Sequence, residues 1–194
     1  MWYSQFANRE RRMRVSLKPQ DILVLLKLVV VGNANWSYNS LAVELGMSPS
    51  EVHAALKRSL VAALAMNLGS RIVPNISNLE EFLIHGLKYA FIPERGEPTR
   101  GIPTGHAVGP LKEKFANSAE PVPVWPEPSG NARGTAFSPL YKSAPKAAQK
   151  DPGLYELLAL IDSIRGGRAR EREKAVCELK AKLKAYGNSQ KPKY

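Results

Sequence analysis

Apolar residues recur at helical spacing in the first part of the chain and again near its end. This spacing predicts helices over 18–32, 38–45, a stretch that begins at Pro49, and 78–91. Pro19 suits the first turn of the first helix, and Gly32 suits its stop. Ser37 is placed to cap the second helix.

Two boundaries in this region stay open at the level of sequence. The helix from Pro49 has no clear end, because "LVAALAMNLG" continues the helical pattern to about Gly69. The segment 70–77 is partly β-branched and contains Pro74, which fits either a reduced wing or a loop. Asn78 is then expected to cap the helix that follows.

Proline dominates the next part of the chain. Eleven of the fifteen prolines fall between Pro93 and Pro152. Regular helix is not expected there, and 92–150 is interpreted as an extended strap, either partly ordered or disordered. Helical spacing returns over 151–187 and predicts a hairpin of two helices broken at "GG", with 188–194 as a tail. The apolar stripe of the last helix either packs on the body or forms a dimer seam.

The stretch "LAVELGMSPSEVHAALKRS" meets the requirements of a helix-turn-helix. Ala42 supplies a small residue where the two helices cross, and Leu45 points inward. Gly46 suits the tight turn, because glycine tolerates a left-handed backbone. Ser48 and Glu51 form a capping box around Pro49, so the second helix is expected to begin at Pro49.

The second helix separates into two faces, because successive residues turn by about 100° around the axis. Val52, Ala55 and Leu56 share the side that would be buried. The opposite side is short, polar and mildly basic. It carries Ser50, His53, Ala54 and Lys57, with Arg58 at the rim.

This stretch resembles the helix-turn-helix of bacterial transcription regulators, and with its flanking helices it resembles winged-helix regulators of the MarR-like group. The resemblance implies a mainly α fold with a winged-helix-like head over 18–91, whose second helix enters the major groove of double-stranded DNA. The residues it implicates in DNA binding are Ser48, Pro49, Ser50, His53, Ala54 and Lys57. Arg58 at the rim and Arg71 in the weak wing complete this part of the predicted site.

Charge adds a second region to this picture. The net charge is +11, yet residues 21–141 hold ten cations and ten anions, so the two ends carry the whole excess. DNA affinity comes largely from phosphate neutralisation. A basic arm over 1–17 is therefore expected to contact DNA, or else to be a solvated terminus. Its candidate contacts are Arg9, Arg11, Arg12 and Arg14.

Other chemistry finds little support. The single cysteine, Cys177, excludes an internal disulfide and fits a cytoplasmic location. No secretory signal, bilayer-spanning run, metal-ligand spacing or phosphate-binding loop is present, so neither a cofactor nor a metal is expected. His85 is expected in the core or at its boundary, and His106 is a weak catalytic candidate. We therefore expect no enzyme.

The sequence thus predicts a cytoplasmic DNA-binding regulator that represses by occupying an operator, and it favours a homodimer. The alternative is a protein-interaction module, such as an antitoxin or adaptor in a toxin or defence locus. That module would bind a partner through the strap and the C-terminal hairpin. The arginine cluster 165–172 fits either a solvated helix end or a second anionic contact.

Overall fold

The computed structural model describes residues 16–115 and 121–189, which form a mainly helical structure with a small amount of sheet. Three helices open the described chain, and a two-stranded antiparallel hairpin follows them. These elements are α1 (Pro19–Val31), α2 (Tyr38–Leu45), α3 (Pro49–Val61), β1 (Ala65–Leu68) and β2 (Arg71–Pro74).

The next helix, α4, contains a π-helical segment, Phe82–Gly86, between the α-helical turns Ile76–Glu81 and Leu87–Ala90. Three strands and four helices complete the described chain, with a short 3₁₀ turn after the first strand. They are β3 (Arg95–Pro103), α5 (Pro110–Lys114), β4 (Pro123–Pro126), β5 (Ala132–Phe137), α6 (Ala144–Lys150), α7 (Pro152–Gly166) and α8 (Ala169–Ser189).

The first helix lies in the centre of the fold. Its residues from Ile22 to Leu26 have no exposed surface, and it packs against α3 and α7. A helix that is apolar on every side is stable only when other elements surround it. The amino-terminal helices and the carboxy-terminal hairpin therefore share one core.

The end of the third helix, which the sequence leaves open, lies well before Gly69. The helix ends at Val61, and Ala63 adopts a left-handed backbone with φ 57°. The N–H of Leu64 then bonds to the carbonyl of Ser59 at 2.9 Å, which closes the helix end. Glycine usually occupies such a left-handed position, and an alanine there does not indicate the end of a helix in the sequence. The open alternative at 70–77 resolves as the β1–β2 hairpin, with Gly69 in its turn.

The cap of the fourth helix also differs from expectation. Asn75, rather than Asn78, is the N-cap, since its side chain accepts a bond from the N–H of Asn78. The helix therefore starts at Ile76, two residues earlier than predicted. The expectation for His85 is also wrong, because the side chain is exposed.

Much of the proline-rich strap is regular structure. Strand β3 pairs antiparallel with both β4 and β5, and β4 pairs parallel with β5, which closes a small three-stranded barrel. The barrel is tight: a Cβ on Gly134 would lie 1.8 Å from the carbonyl oxygen of Val122. The exclusion of helix from the strap is wrong, since α5 and α6 occur within it. Each carries its proline in the first turn, where the missing N–H costs no helical bond.

The carboxy-terminal hairpin is confirmed as α7 and α8, with the break at Gly167 and Arg168. Leu179 and Leu183 on α8 are fully buried, and α8 packs against α7 and α4. The apolar stripe of the last helix therefore covers the body of the protein.

A buried lysine joins the two halves of the chain. Lys27, in the middle of α1, is only 6% exposed. Its Nζ lies 2.5 Å from Glu44 on α2 and 2.6 Å from Asp151, the N-cap of α7. Desolvation lowers the pKa of Lys27, but the hydrogen bonds and charges of these two carboxylates outweigh it and leave the pKa raised. The ammonium therefore stays charged inside the fold.

The Lys27–Asp151 pair makes the free energy of unfolding decrease at acid pH. Desolvation alone would raise the pKa of Asp151, but hydrogen bonds from Lys27 and from the N–H of Leu154 outweigh it, so the pKa is lowered. A carboxyl with a lowered pKa in the folded state stabilises above its unfolded pKa of about 3.9, and the contribution is lost as pH falls through the folded value.

We expect Asp151→Asn to lose about 1–3 kcal/mol at neutral pH while keeping its capping role. Its stability should then fall less steeply than the wild type below about pH 5. Urea denaturation at several pH values measures both effects. Glu156→Gln, which breaks a half-exposed pair with Lys182, is the control and should cost under about 1 kcal/mol. Parallel acid curves for wild type and Asp151→Asn would contradict the account.

Candidate nucleic-acid interface

The turn between α2 and α3 has the geometry that the sequence predicts. Gly46 adopts a left-handed backbone with φ 62°. Ser48 Oγ accepts a bond from the N–H of Glu51 at 3.2 Å, and Glu51 Oε2 accepts one from the N–H of Ser48 at 2.8 Å. The bond from the Ser48 N–H, together with the Ser48 hydroxyl, holds the pKa of Glu51 below its ordinary value. The capping box is confirmed, and it fixes where α3 begins.

Helix α3 buries one side and exposes the other, as its sequence predicts. Val52, Ala55 and Leu56 are buried against the core. We call the opposite side the reading face. It consists of exposed Pro49, Ser50, His53 and Lys57 with half-buried Ser48 and Ala54. This face offers hydroxyl, imidazole and ammonium groups that can donate to phosphates or to base acceptors.

Two aromatic side chains lie beside the reading face, and no pattern in the sequence indicates this arrangement. Tyr38, at the start of α2, lies with its ring 5.4 Å from that of His53. Trp36 packs edge-on against Tyr38 at 5.6 Å. The ring of Tyr38 therefore covers one side of the imidazole, and Trp36 supports Tyr38 from behind.

Two of the predicted arginine contacts have structural partners. Arg58 binds the fully buried Asp21 through two hydrogen bonds, from Nε at 2.8 Å and from Nη2 at 2.5 Å. Arg71 donates to the carbonyls of Asn33 and Ala34 and so ties the β1–β2 hairpin to the loop before α2. We leave both arginines out of the reading face. Arg9, Arg11, Arg12 and Arg14 lie outside the described residues.

The edge of the β1–β2 hairpin is apolar. Met66 is 44% exposed and Leu68 is 56% exposed, and Val61 at the end of α3 is 63% exposed. The hairpin carries one cation, Arg71, whose guanidinium is bound to carbonyls. This edge therefore offers little to a phosphate backbone.

A second basic element lies against the turn of the helix-turn-helix. Helix α6 packs on α2, and a Cβ built on Gly46 would lie 3.5 Å from the Cβ of Ser143. Exposed lysines follow at helical spacing. We call Lys142, Lys146 and Lys150 the lysine stripe. The spacing in "YKSAPKAAQK" is visible in the sequence, but nothing local indicates that this segment folds back onto the head.

The remaining polar clusters are small or structural. Asp162 is fully buried and accepts bonds from Trp125 Nε1 at 2.7 Å and Thr104 Oγ1 at 2.8 Å, while Arg165 pairs with it at 2.7 Å. Burial raises the pKa of Asp162 against the opposing effect of these three partners. The network holds the barrel on α7, and burial also raises the pKa of Tyr155, at the same junction, to about 12.

His106 occupies a neighbouring cleft, with its Nδ1 3.4 Å from Glu171. The space beside it is about 30 Å³, which suits one or two water molecules better than a substrate. Within 16–115 and 121–189, no group of three or more histidine, cysteine or acidic side chains is arranged to hold a metal ion.

No protein-family model, curated protein or solved structure matches the chain. Among the helices of the described residues, none combines the length and the apolarity needed to cross a membrane. The assignment of function therefore depends on the residues of the site itself.

Because Arg58 pairs with a buried carboxylate, substitution of Arg58 should destabilise the fold much more than substitution of its neighbour Lys57. Arg58→Ala leaves the carboxylate of Asp21 buried and unpaired, which costs about 3–5 kcal/mol. Lys57→Ala removes an exposed side chain and should change stability by less than about 0.5 kcal/mol. Chemical denaturation of the two variants measures the difference. Equal stabilities would show that the Asp21–Arg58 pair does not hold α3 on α1.

Proposed function

We propose that this protein is a sequence-specific DNA-binding transcriptional regulator that reads the major groove with α3. The observation that carries the proposal is the exposed polar side of α3. The start of this helix is fixed by a capping box and by the left-handed turn at Gly46. A recognition helix needs this combination of a rigid base and a short polar outer face. The hairpin that follows α3 fits the wing of a winged-helix head.

The residues of the reading face match the chemistry of a groove. Ser50 and Ala54 are small and allow the helix axis to approach the base pairs. His53 and Lys57 stand one turn apart and supply donors for guanine acceptors or phosphates. Helix α3 has two cations. Arg58 forms an ion pair with the buried Asp21, whereas Lys57 has no buried partner among the described residues.

Repression by occupancy is the simplest mechanism for such a protein. A chain that fills the major groove at a promoter excludes other proteins from that segment. The proposal includes a homodimer that reads two half-sites, a cytoplasmic location, and no catalytic step or cofactor.

The test is a fluorescence-anisotropy titration with duplexes that tile the DNA upstream of the protein's own reading frame, against scrambled duplexes of equal composition. We expect one upstream duplex to bind more tightly. His53→Ala and Lys57→Ala should each weaken that binding by about 1–3 kcal/mol, because each removes a donor to a base or phosphate.

Matched controls exist for both substitutions. His85→Ala removes another exposed histidine, on α4, and Lys184→Ala removes another exposed lysine, on α8. Both should leave the affinity for the upstream duplex unchanged. The proposal fails if no upstream duplex is preferred. The choice of reading face fails if His53→Ala and Lys57→Ala match their controls.

A second candidate function is a protein-interaction module, such as an antitoxin or adaptor. The exposed side chains of Met66 and Leu68, two residues apart on β1, favour it, because neighbouring apolar side chains on a surface are typical of protein contacts. Removing residues 142–194 would not test this function, since α7 and α8 belong to the core.

Surface variants test the second function instead. A partner that co-purifies at fixed stoichiometry from the native host, once identified and purified, should lose affinity for a Met66→Ser, Leu68→Ser variant. Tyr89→Ser with Ile92→Ser is the control, because both residues are exposed and apolar but lie at the end of α4 and just after it. Equal binding by the two double variants would exclude this edge as the contact.

A further inference from the structure

The lysine stripe is a fixed element of the surface. The other side of α6 consists of Ala144, Ala147 and Ala148, which are buried. These small residues let α6 pack closely on the body, and the packing turns Lys142, Lys146 and Lys150 to solvent. None of the three lysines forms an ion pair within the part of the chain that the structure describes.

The stripe stands next to the start of the recognition helix. Tyr141, the residue before the stripe, donates its hydroxyl hydrogen to Glu51 Oε1 at 3.3 Å, inside the first turn of α3. Ser143 touches the turn at Gly46. A groove of about 520 Å³ separates the head from α6, and Gly46 and the three lysines line it. The stripe therefore lies beside the turn and the first turn of α3, at the start of the helix that carries the reading face.

Two acidic residues, Glu44 and Glu127, also line this groove. Glu44 shares Lys27 with Asp151, so that ammonium cancels only part of the Glu44 charge. Glu127 accepts a bond from Ser129 at 3.3 Å, and its charge cancels at most one lysine. Three lysines against two acidic residues leave the lining of the groove with a net charge of +1, the sign that attracts a polyanion.

The reading face itself has too little charge for DNA. It contains one unpaired cation, Lys57, whereas specific DNA-binding proteins commonly neutralise several phosphates. We propose that Lys142, Lys146 and Lys150 bind the phosphate backbone of the duplex that α3 reads. The phosphates they bind would flank the DNA major groove at the amino-terminal end of α3. This inference rests on the proposed function and assigns it a second contact element.

The experiment measures the salt dependence of DNA affinity for the full-length protein. It uses a labelled mixed-sequence duplex and the preferred upstream duplex, each at several salt concentrations. For B-DNA, the slope of log K against log salt is about −0.9 for each phosphate contact. We expect Lys142→Ala, Lys146→Ala, Lys150→Ala to make the slope shallower by about two to three on both duplexes.

The control variant is Lys112→Ala, Lys180→Ala, Lys184→Ala. It removes the same charge from exposed positions on α5 and α8, where Lys180 lies 3.9 Å from Glu80, and should keep the wild-type slope. Replacing the stripe lysines by arginine should also keep the slope, because the charge remains. Alanine favours helix, so circular dichroism should show that α6 and the fold persist in the test variant.

Each outcome decides the inference. A slope changed only in the stripe variant supports it. A stripe variant with the slope of the control overturns it, and the regulator proposal stands if Lys57→Ala still weakens binding to the upstream duplex. An equal loss of affinity at every salt concentration also overturns it, because phosphate contacts act through the slope. If the wild type binds neither duplex, the proposed function and this inference both fail.

Discussion

The burial of Lys27 is the constraint on which the arrangement of this protein depends. A charged ammonium inside a helical core must be compensated, because burying an isolated charge costs far more than a domain's net stability. Glu44 and Asp151 supply that compensation at 2.5 and 2.6 Å. Glu44 lies two residues before Gly46, and Asp151 directly follows the last residue of α6. The pairing therefore brings the helix-turn-helix and the end of the strap to the same place.

The juxtaposition has consequences for charge. Residues 21–141 are electrically neutral, and the arginine at the rim of α3 is bound to Asp21. A head of this kind has weak attraction for a polyanion by itself. Lys146 and Lys150 stand on α6, and Lys142 lies two residues before it. The packing of α6 on the core therefore gives the three charges a defined position relative to α3. In this account, the recognition helix supplies selectivity, and α6 supplies affinity from phosphates.

Local chemistry in the sequence was sufficient to locate α2, the turn and the start of α3. Gly46 and Ser48 act on neighbours within four residues, and such effects can be predicted from spacing. Ala63 ends α3 with a left-handed residue that is not glycine, so no local signal marked the end. Arg58 lies on the rim of the helix by spacing, yet its partner Asp21 is distant in sequence.

The strap was the least predictable part. Its prolines argue against regular helix, although a proline in the first turn of a helix allows one, as in α5 and α6. The closure of β3, β4 and β5 depends on pairings across long sequence separations. The position of α6 depends on Lys27, more than a hundred residues away. Only the folded chain brings the lysine stripe and the reading face together.

The most direct test of the central claim is a map of backbone amide chemical shifts on adding the preferred upstream duplex to the isotopically labelled protein. The account predicts that the largest changes fall in two separate stretches, residues 48–57 and residues 142–150, at the same DNA concentration. Changes concentrated in β1–β2 or α8, with residues 48–57 unmoved, would contradict it.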